Sequence, residues 1–290
     1  CQQIFLNCSA PPETEESRFL PGPYAGKPAY DDVIQGMSGL ADLMERQGGE
    51  MRYLPTIAAD KTCAHVAAHA ILAALWQRER TGQGAFVEIP MFESMVGFNL
   101  VEHYYGQHFE PPLSAPGYPR VLAPWRRPYR TADGAVAMMP YTNLHWQRFF
   151  TEVGAPELAR DARFVDIASR TRHIAELLEL ASGFTERHTT AHWIAVCERL
   201  EIPAAPVAKL QDLPLDPHLV ATDFFETVAD PALGDVRFPG VPVRFDGQRA
   251  AITMPPRLGE HTRELLAQAG LGAAQIDALV DTRAAIAPAT

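Results

Sequence analysis

The chain has 290 residues, 47% of them apolar and 21% charged, enough for one large or two smaller globular domains with proper cores. Its net charge of −10 argues against a nucleic-acid or anionic-membrane partner. No apolar run reaches the ~20 residues a membrane helix needs, because His, Arg or Glu interrupts each candidate.

The four cysteines, Cys1, Cys8, Cys63 and Cys197, make neither a CxxC pair nor a disulfide framework, which points to a reducing, cytoplasmic home. A chain opening on Cys1 rather than Met reads as the start of a fragment. A lipid-modified cysteine would be followed by a tether-like polar linker, and none follows here.

In chain order, Ile4, Phe5 and Leu6 read as a short buried strand, and residues 11–28 as a proline-marked loop. Val33, Ile34, Met37 and Leu40 recur at helical spacing, with Asp31 or Asp32 placed to cap that helix and Gly48-Gly49 to close it. The stretch 55–84 is the most informative. Asp60 stands where an apolar approach becomes an alanine-rich helix whose apolar face is Val66, Ala67, Ala70, Ile71, Ala74 and Leu75, with Trp76 anchoring one edge. That helix stops at Thr81-Gly82-Gln83-Gly84 and leads into a strand over 85–91 and a further helix over 92–105. Local spacing gives Asp60 two available roles: capping the helix, worth roughly 0.5–2 kcal/mol, or presenting a nucleophilic carboxylate at the helix end.

Residues 110–119 are a linker by composition. An Asp133-Gly134 hairpin follows, then amphipathic helices near 143–153, 170–184 and 189–200, the last capped by Thr189 or Thr190. Residues 202–207 and 235–245 are extended, and a terminal helix spans 259–268.

His65 and His69 share the i, i+4 spacing of a metal site. The Glu of HExxH is absent, Val66 standing in its place, so no metal is expected. A G-x-S-x-G elbow, a P-loop and a three-glycine dinucleotide fingerprint are also absent. Arg120, Arg126, Arg127 and Arg130 cluster beside Pro124-Trp125. They are read either as an anion site or as a salt-bridge patch between domains or subunits.

Five stretches, taken together and in order, resemble one family. They are Gly22–Leu40 (GPYAGKPAYDDVIQGMSGL), Ile57–Asp60 with Ile71–Gly84, Pro128–Gly134 (PYRTADG), Pro239–Arg244 (PGVPVR) and Leu258–Thr262 (LGEHT). Their order and content resemble the class III CoA-transferases, also called CaiB/BaiF. The resemblance implies an α/β fold with an incomplete Rossmann-like large domain plus a small α+β domain, and an interlocked homodimer. On this division residues 1–124 carry the catalytic Asp, 125–230 form the small domain and 231–290 return to the large one. The Rossmann-like CoA-binding segment that opens family members has no counterpart here, Ala64 stands where the family has Gly, and residues 114–119 replace a glycine-run loop.

For function, the resemblance implies transfer of CoA from an acyl-CoA thioester to a carboxylic acid. Asp60 would be the nucleophile, passing through acyl-aspartyl anhydride and aspartyl-CoA thioester intermediates, with amides of the following helix stabilising oxyanions. Lys27, Tyr30, Asp31 and Met91 are pocket residues by motif position. No tightly bound cofactor is implied, coenzyme A entering as a substrate thioester. The racemase branch of the same fold would need a His where Tyr30 stands, and tyrosine is a poor proton shuttle at neutral pH. Racemization of a 2-methylacyl-CoA is therefore the alternative activity, and a non-catalytic dimerising subunit the alternative outside enzymology.

Overall fold

The computed structural model describes Leu6, Asn7, Pro23, Tyr24 and residues 27–288. The chain divides into two compact units, Cys1–Val207 and Ala208–Thr290. The division falls inside the segment that the sequence assigned to the small domain. Helix and strand are mixed throughout, and every strand pair among the described residues is antiparallel.

The first unit opens with β1 (Leu6–Asn7), which pairs with β2 (Phe86–Val87). Between them lie α1 (Asp31–Met37), α2 (Leu40–Gly48) and α3 (Ala58–Thr81), and α4 (Met91–His103) follows. The strand expected over 85–91 is realised at Phe86–Val87, and Met91 already starts the next helix. Gly39 (φ +85°) takes the left-handed turn that lets α2 start directly after α1. At the far end of α3, Gly82 (φ +70°) donates its amide to the Arg78 carbonyl and stops the helix.

Alanine, the best helix former, carries α3 over 24 residues, about 36 Å at 1.5 Å per residue. Its buried stripe is Ala59, Cys63, Ala67 and Ala74. Val66 and Trp76 lie outside it: Trp76 is 66% exposed under the Arg80 guanidinium. Small side chains on the buried stripe let neighbouring backbones approach, so the larger ones turn outward. Packed on this stripe, Ile34, Leu40, Met91 and Met95 form a compact apolar cluster.

Of the apolar set expected from its periodicity, Ile34 and Leu40 are buried, and the inward face of α1 is completed by the polar Asp31, Gln35 and Ser38. Val33 and Met37 are exposed. The inward polar groups are retained because each finds a bond: Asn99 of α4, for example, donates its side-chain amide to the Ser38 carbonyl at 3.0 Å.

The remainder of the first unit holds α5 (Pro119–Leu122), β3 (Tyr129–Arg130), β4 (Ala135–Met138), α6 (Asn143–Glu152), α7 (Ile167–Arg172), α8 (Ile174–Thr185), α9 (Thr190–Leu200) and β5 (Ala204–Pro206). β3, β4 and β5 form one sheet in that order. A second core lies here, built around Trp146, Phe149, Phe150, Phe164, Leu177 and Trp193. Thr142, Asp166 and Thr189 cap α6, α7 and α9 through their side chains. The 131–134 turn is a four-residue connection. Its glycine needs no positive φ, because the Asp133 carboxylate, which accepts from Thr131 Oγ1, Thr190 Oγ1 and the Thr190 amide, holds the turn against α9.

The second unit contains α10 (Pro217–Ala221), a hairpin of β6 (Phe225–Asp230) and β7 (Gly234–Pro239), α11 (Thr262–Gln268) and α12 (Ala273–Asp281). Asp230 accepts the amides of Ala232 and Leu233 in the hairpin turn and pairs with Arg257 at 2.6 Å. No helix among the described residues is long and apolar enough to cross a membrane.

Candidate functional site

The site assembles where α1, the start of α3 and the start of α4 meet. The approach to α3 is shaped by α1. Gln35, fully buried, accepts the Leu54 amide at 2.9 Å and donates to the Thr56 carbonyl at 3.2 Å. Its side-chain amide also donates to Asp31 Oδ2 at 2.6 Å. The other oxygen of Asp31 accepts the amides of Ala59 at 2.8 Å and Asp60 at 3.1 Å. Asp31 therefore caps α3 from a different helix, twenty-eight and twenty-nine residues upstream of the amides it holds.

This reassigns both aspartates. Asp60 is not the cap. It sits inside the first turn, after Ile57, which occupies the cap position without a side-chain bond. Nor does Asp31 or Asp32 cap α1, whose cap position is Tyr30. With its backbone amide held by Asp31, Asp60 has an exposed carboxylate with no hydrogen-bond or ion-pair partner among the described residues. The positive end of the α3 dipole favours negative charge at that position.

The first-turn amides are not free for an oxyanion. Ala58 donates to the Thr56 carbonyl, Ala59 and Asp60 to Asp31, and Lys61 to the Ile57 carbonyl. Oxyanion stabilisation by these amides, expected from sequence, is closed off by the network that holds Asp60.

One turn beyond Asp60, the buried Cys63 thiol faces the Met91 carbonyl at 3.7 Å. Burial pushes the thiol up from its ordinary pKa, and the neighbouring charges of Asp60 and Asp31 push it further. It is held as a neutral thiol, a poor competing nucleophile.

The structure thus brings Asp31, Asp60, Cys63 and Met91 together. Met91 contributes a buried side chain and a backbone carbonyl. Tyr30 directs its ring into solvent at 67% exposure, and its carbonyl accepts the Ile34 amide. Lys27 lies on the surface with its ammonium 4.7 Å from the centre of the Tyr24 ring. Residues Gly22 and Ala25-Gly26 of the entry motif, with Cys1 and Cys8, lie outside the described set. Gln35 and Cys63 escaped sequence reading. The available signal for Gln35 was a polar residue four after Asp31, on the same helical face. His65 and His69 are both exposed on α3, and no group of three or more metal-ligating side chains occurs among the described residues.

The arginine cluster lies elsewhere in the first unit. Arg120, Arg126 and Arg127 line a cleft of about 730 Å³ between the α5 region, the β-sheet and α8, while Arg130 does not reach it. None of the four arginines forms an ion pair among the described residues.

The sequence profile described as CoA-transferase family III matches residues 17–262. Over 262 residues the chain is 29% identical to the probable fatty acyl-CoA transferase Rv3272 of Mycobacterium tuberculosis, covering 85% of this chain and 65% of that protein. It is 28% identical over 255 residues to the succinyl-CoA:mesaconate CoA-transferase of Haloarcula hispanica, covering 85% and 62%. A crystal structure of a mutant of Rv3272 superposes with a TM-score of 0.69 at 27% identity, covering 85% of this chain and 65% of that one. The chain therefore spans a little under two thirds of the length of these relatives.

Proposed function

The chain belongs to CoA-transferase family III, and from that premise we propose that it moves CoA from an acyl-CoA thioester to a carboxylic acid, with Asp60 as nucleophile. The observation that carries this reading is the state of Asp60: its amide is fixed by Asp31, while its carboxylate is exposed and has no partner among the described residues. An ionised carboxylate attacks without a base, and both intermediates keep the transferred group activated.

The steps balance without a cofactor or an external energy source. The Asp60 carboxylate adds to the thioester carbonyl, the C–S bond breaks, and CoA leaves as a thiolate, giving an acyl-aspartyl mixed anhydride. The thiolate then attacks the aspartyl carbonyl, expelling the donor acid as its carboxylate and leaving an aspartyl-CoA thioester. An acceptor carboxylate displaces CoA again to form a second anhydride. Attack of the thiolate on the acceptor carbonyl gives the new acyl-CoA and restores Asp60. Asp31 serves as a positioning residue, holding the backbone from which the nucleophile projects. Met91 and Cys63 wall the base of the site, and Tyr30 and Lys27 are kept as pocket residues by their motif position.

A homodimer is part of this reading. Leu72, Trp76, Phe98 and Val101 present large apolar surface on α3 and α4, each at least 59% exposed, and a partner surface would cover it.

The test is transfer of CoA from an acyl-CoA to an isotopically labelled acid. Asp60→Ala is expected to lower the rate by roughly a thousandfold or more, as loss of a covalent nucleophile does. Turnover near the wild-type rate in that variant would remove the mechanism.

A further inference from the structure

The cationic side chains of this chain are almost all arginine. Lysine occurs only at Lys27, Lys61 and Lys209, among 25 lysines and arginines. The distinction is chemical: a guanidinium stays protonated in proteins, whereas a lysine amine can lose its proton and attack a carbonyl. One of the three lysines stands directly after Asp60.

Lys61 lies in the first turn of α3, its amide donating to the Ile57 carbonyl at 3.2 Å. Its side chain is exposed and pairs with no carboxylate among the described residues, Asp60 included. The Lys61 ammonium donates instead to Thr56 Oγ1 at 2.8 Å. Thr56 precedes the helix and is itself held by Gln35, whose side-chain amide donates to the Thr56 carbonyl. That bond draws the amine back to the N-terminal end of α3. Side chains of an α-helix lean toward its N-terminus, so the Asp60 carboxylate leans to the same end. Amine and carboxylate thus share one turn of helix without neutralising each other.

We infer that Lys61 is an acyl acceptor that limits turnover when no acid arrives to take the CoA. The inference rests on the transferase reading, in which Asp60 carries the donor acyl group as an anhydride. The free amine adds to the acyl carbonyl, a C–N bond forms, and the C–O bond to Asp60 breaks. Asp60 leaves as a carboxylate. The amine sheds one proton on becoming the free base and a second on becoming an amide; the CoA thiolate takes one and water the other. Lysine amines are mostly protonated near neutral pH, with a reference pKa of ~10.4. Proximity offsets that, because effective molarities of well-placed neighbouring groups reach roughly 10⁵ M and above. The product is an uncharged, stable amide that leaves an acyl chain standing beside the nucleophile.

Peptide mass mapping tests this after incubation with succinyl-CoA or octanoyl-CoA, each labelled with heavy carbon in the acyl group and supplied without an acceptor acid. Hydroxylamine cleaves anhydride and thioester adducts at Asp60 and spares an amide, so the two events are read separately. The stable label on Lys61 should exceed that on Lys209, an equally exposed lysine, by at least about tenfold, because Lys61 alone neighbours the activated acyl group. In Asp60→Ala the Lys61 label should fall to the Lys209 level. Lys61→Arg keeps the charge without an acylable amine. Held with acyl-CoA before the acid is added, it should keep its own starting transfer rate, while the wild type slows in step with its stable label. A hydroxylamine-labile label at Asp60 with none on Lys61 would overturn this inference and leave the transferase reading standing. Absence of both labels would overturn the two together. Undiminished Lys61 labelling in Asp60→Ala, or equal labelling of Lys27 and Lys209, would also overturn it, since either means acylation straight from the thioester.

Discussion

The Asp31 carboxylate accepts the backbone amide of Asp60 at 3.1 Å and that of Ala59 at 2.8 Å, so one acidic side chain does the capping that frees another. Replacing Asp31 with Ala leaves two amides at the start of α3 without their acceptor. Loss of a buried acceptor of this kind costs about 1–3 kcal/mol. Urea denaturation of Asp31→Ala should show a drop of that size, and CoA transfer should fall with it, because the first turn of α3 no longer holds Asp60 in place. An unchanged midpoint together with full activity would show that the cap positions nothing.

Gln35 offers a sharper probe of the same network. Its side-chain amide donates to Asp31 Oδ2 at 2.6 Å, and its oxygen holds the Leu54 amide. Gln35→Glu keeps the shape but sets a carboxylate against a carboxylate in a fully buried position. The expected outcome is destabilisation by about 1–3 kcal/mol at neutral pH, partly relieved as the pH falls and one of the pair takes up a proton. Parallel denaturation curves near pH 5 and pH 8 would reveal the relief, and a variant equally stable at both would contradict it.

Much of the helical architecture was legible because helical signals are local. Asn143–Glu152 and Thr190–Leu200 match their expected ranges within a residue or two, and Thr142 and Thr189 cap them. The inward face of α1 was legible in part. Ile34 and Leu40 are buried as their periodicity predicts, whereas Val33 and Met37 are exposed and Asp31, Gln35 and Ser38 turn inward, where Leu54, Thr56, Ala59, Asp60 and Asn99 supply partners that no local pattern reveals. β6 was missed for a similar reason: Phe225–Asp230 is extended because it pairs with β7. The site was partly readable. Asp60 stood out by motif, whereas its cap lies nearly thirty residues away in sequence, a relationship visible only once α1 packs on α3.

Cys63 is buried beside two carboxylates, and Cys197 is buried in the aromatic core with its pKa pushed up to about 11 by burial. Both should resist alkylation in the native chain at neutral pH and react once it is unfolded, because the thiolate is the reacting species. Peptide mapping after iodoacetamide treatment checks this. Native labelling of Cys63 would mean that the base of the site is open.

Arg163 contributes to stability on the acid side through Asp161. Its side-chain bonds hold the Asp161 carboxyl down at about 2, below the reference near ~3.9. A carboxyl depressed in the folded state adds stability above the unfolded pKa, and that contribution disappears as pH falls through the folded one. The stability gap between wild type and Asp161→Asn should therefore be full above about pH 4 and close as the pH approaches about 2. Denaturant midpoints for the two proteins across that range measure it, and a gap that persisted at the acid end would place the effect elsewhere than in this carboxylate.

The most direct test of the proposed chemistry follows an oxygen atom. In the double-anhydride route, one oxygen of the acceptor carboxylate stays on the aspartyl carbonyl when CoA departs with the acceptor acyl group. A single turnover with an acceptor acid carrying heavy oxygen in both carboxylate positions should place one heavy-oxygen atom in the peptide containing Asp60, within its side chain, and repeated turnover should bring in a second; fragment-ion mass spectrometry would locate them. Turnover that left the Asp60 carboxylate unlabelled, or placed the label on another residue, would contradict the account.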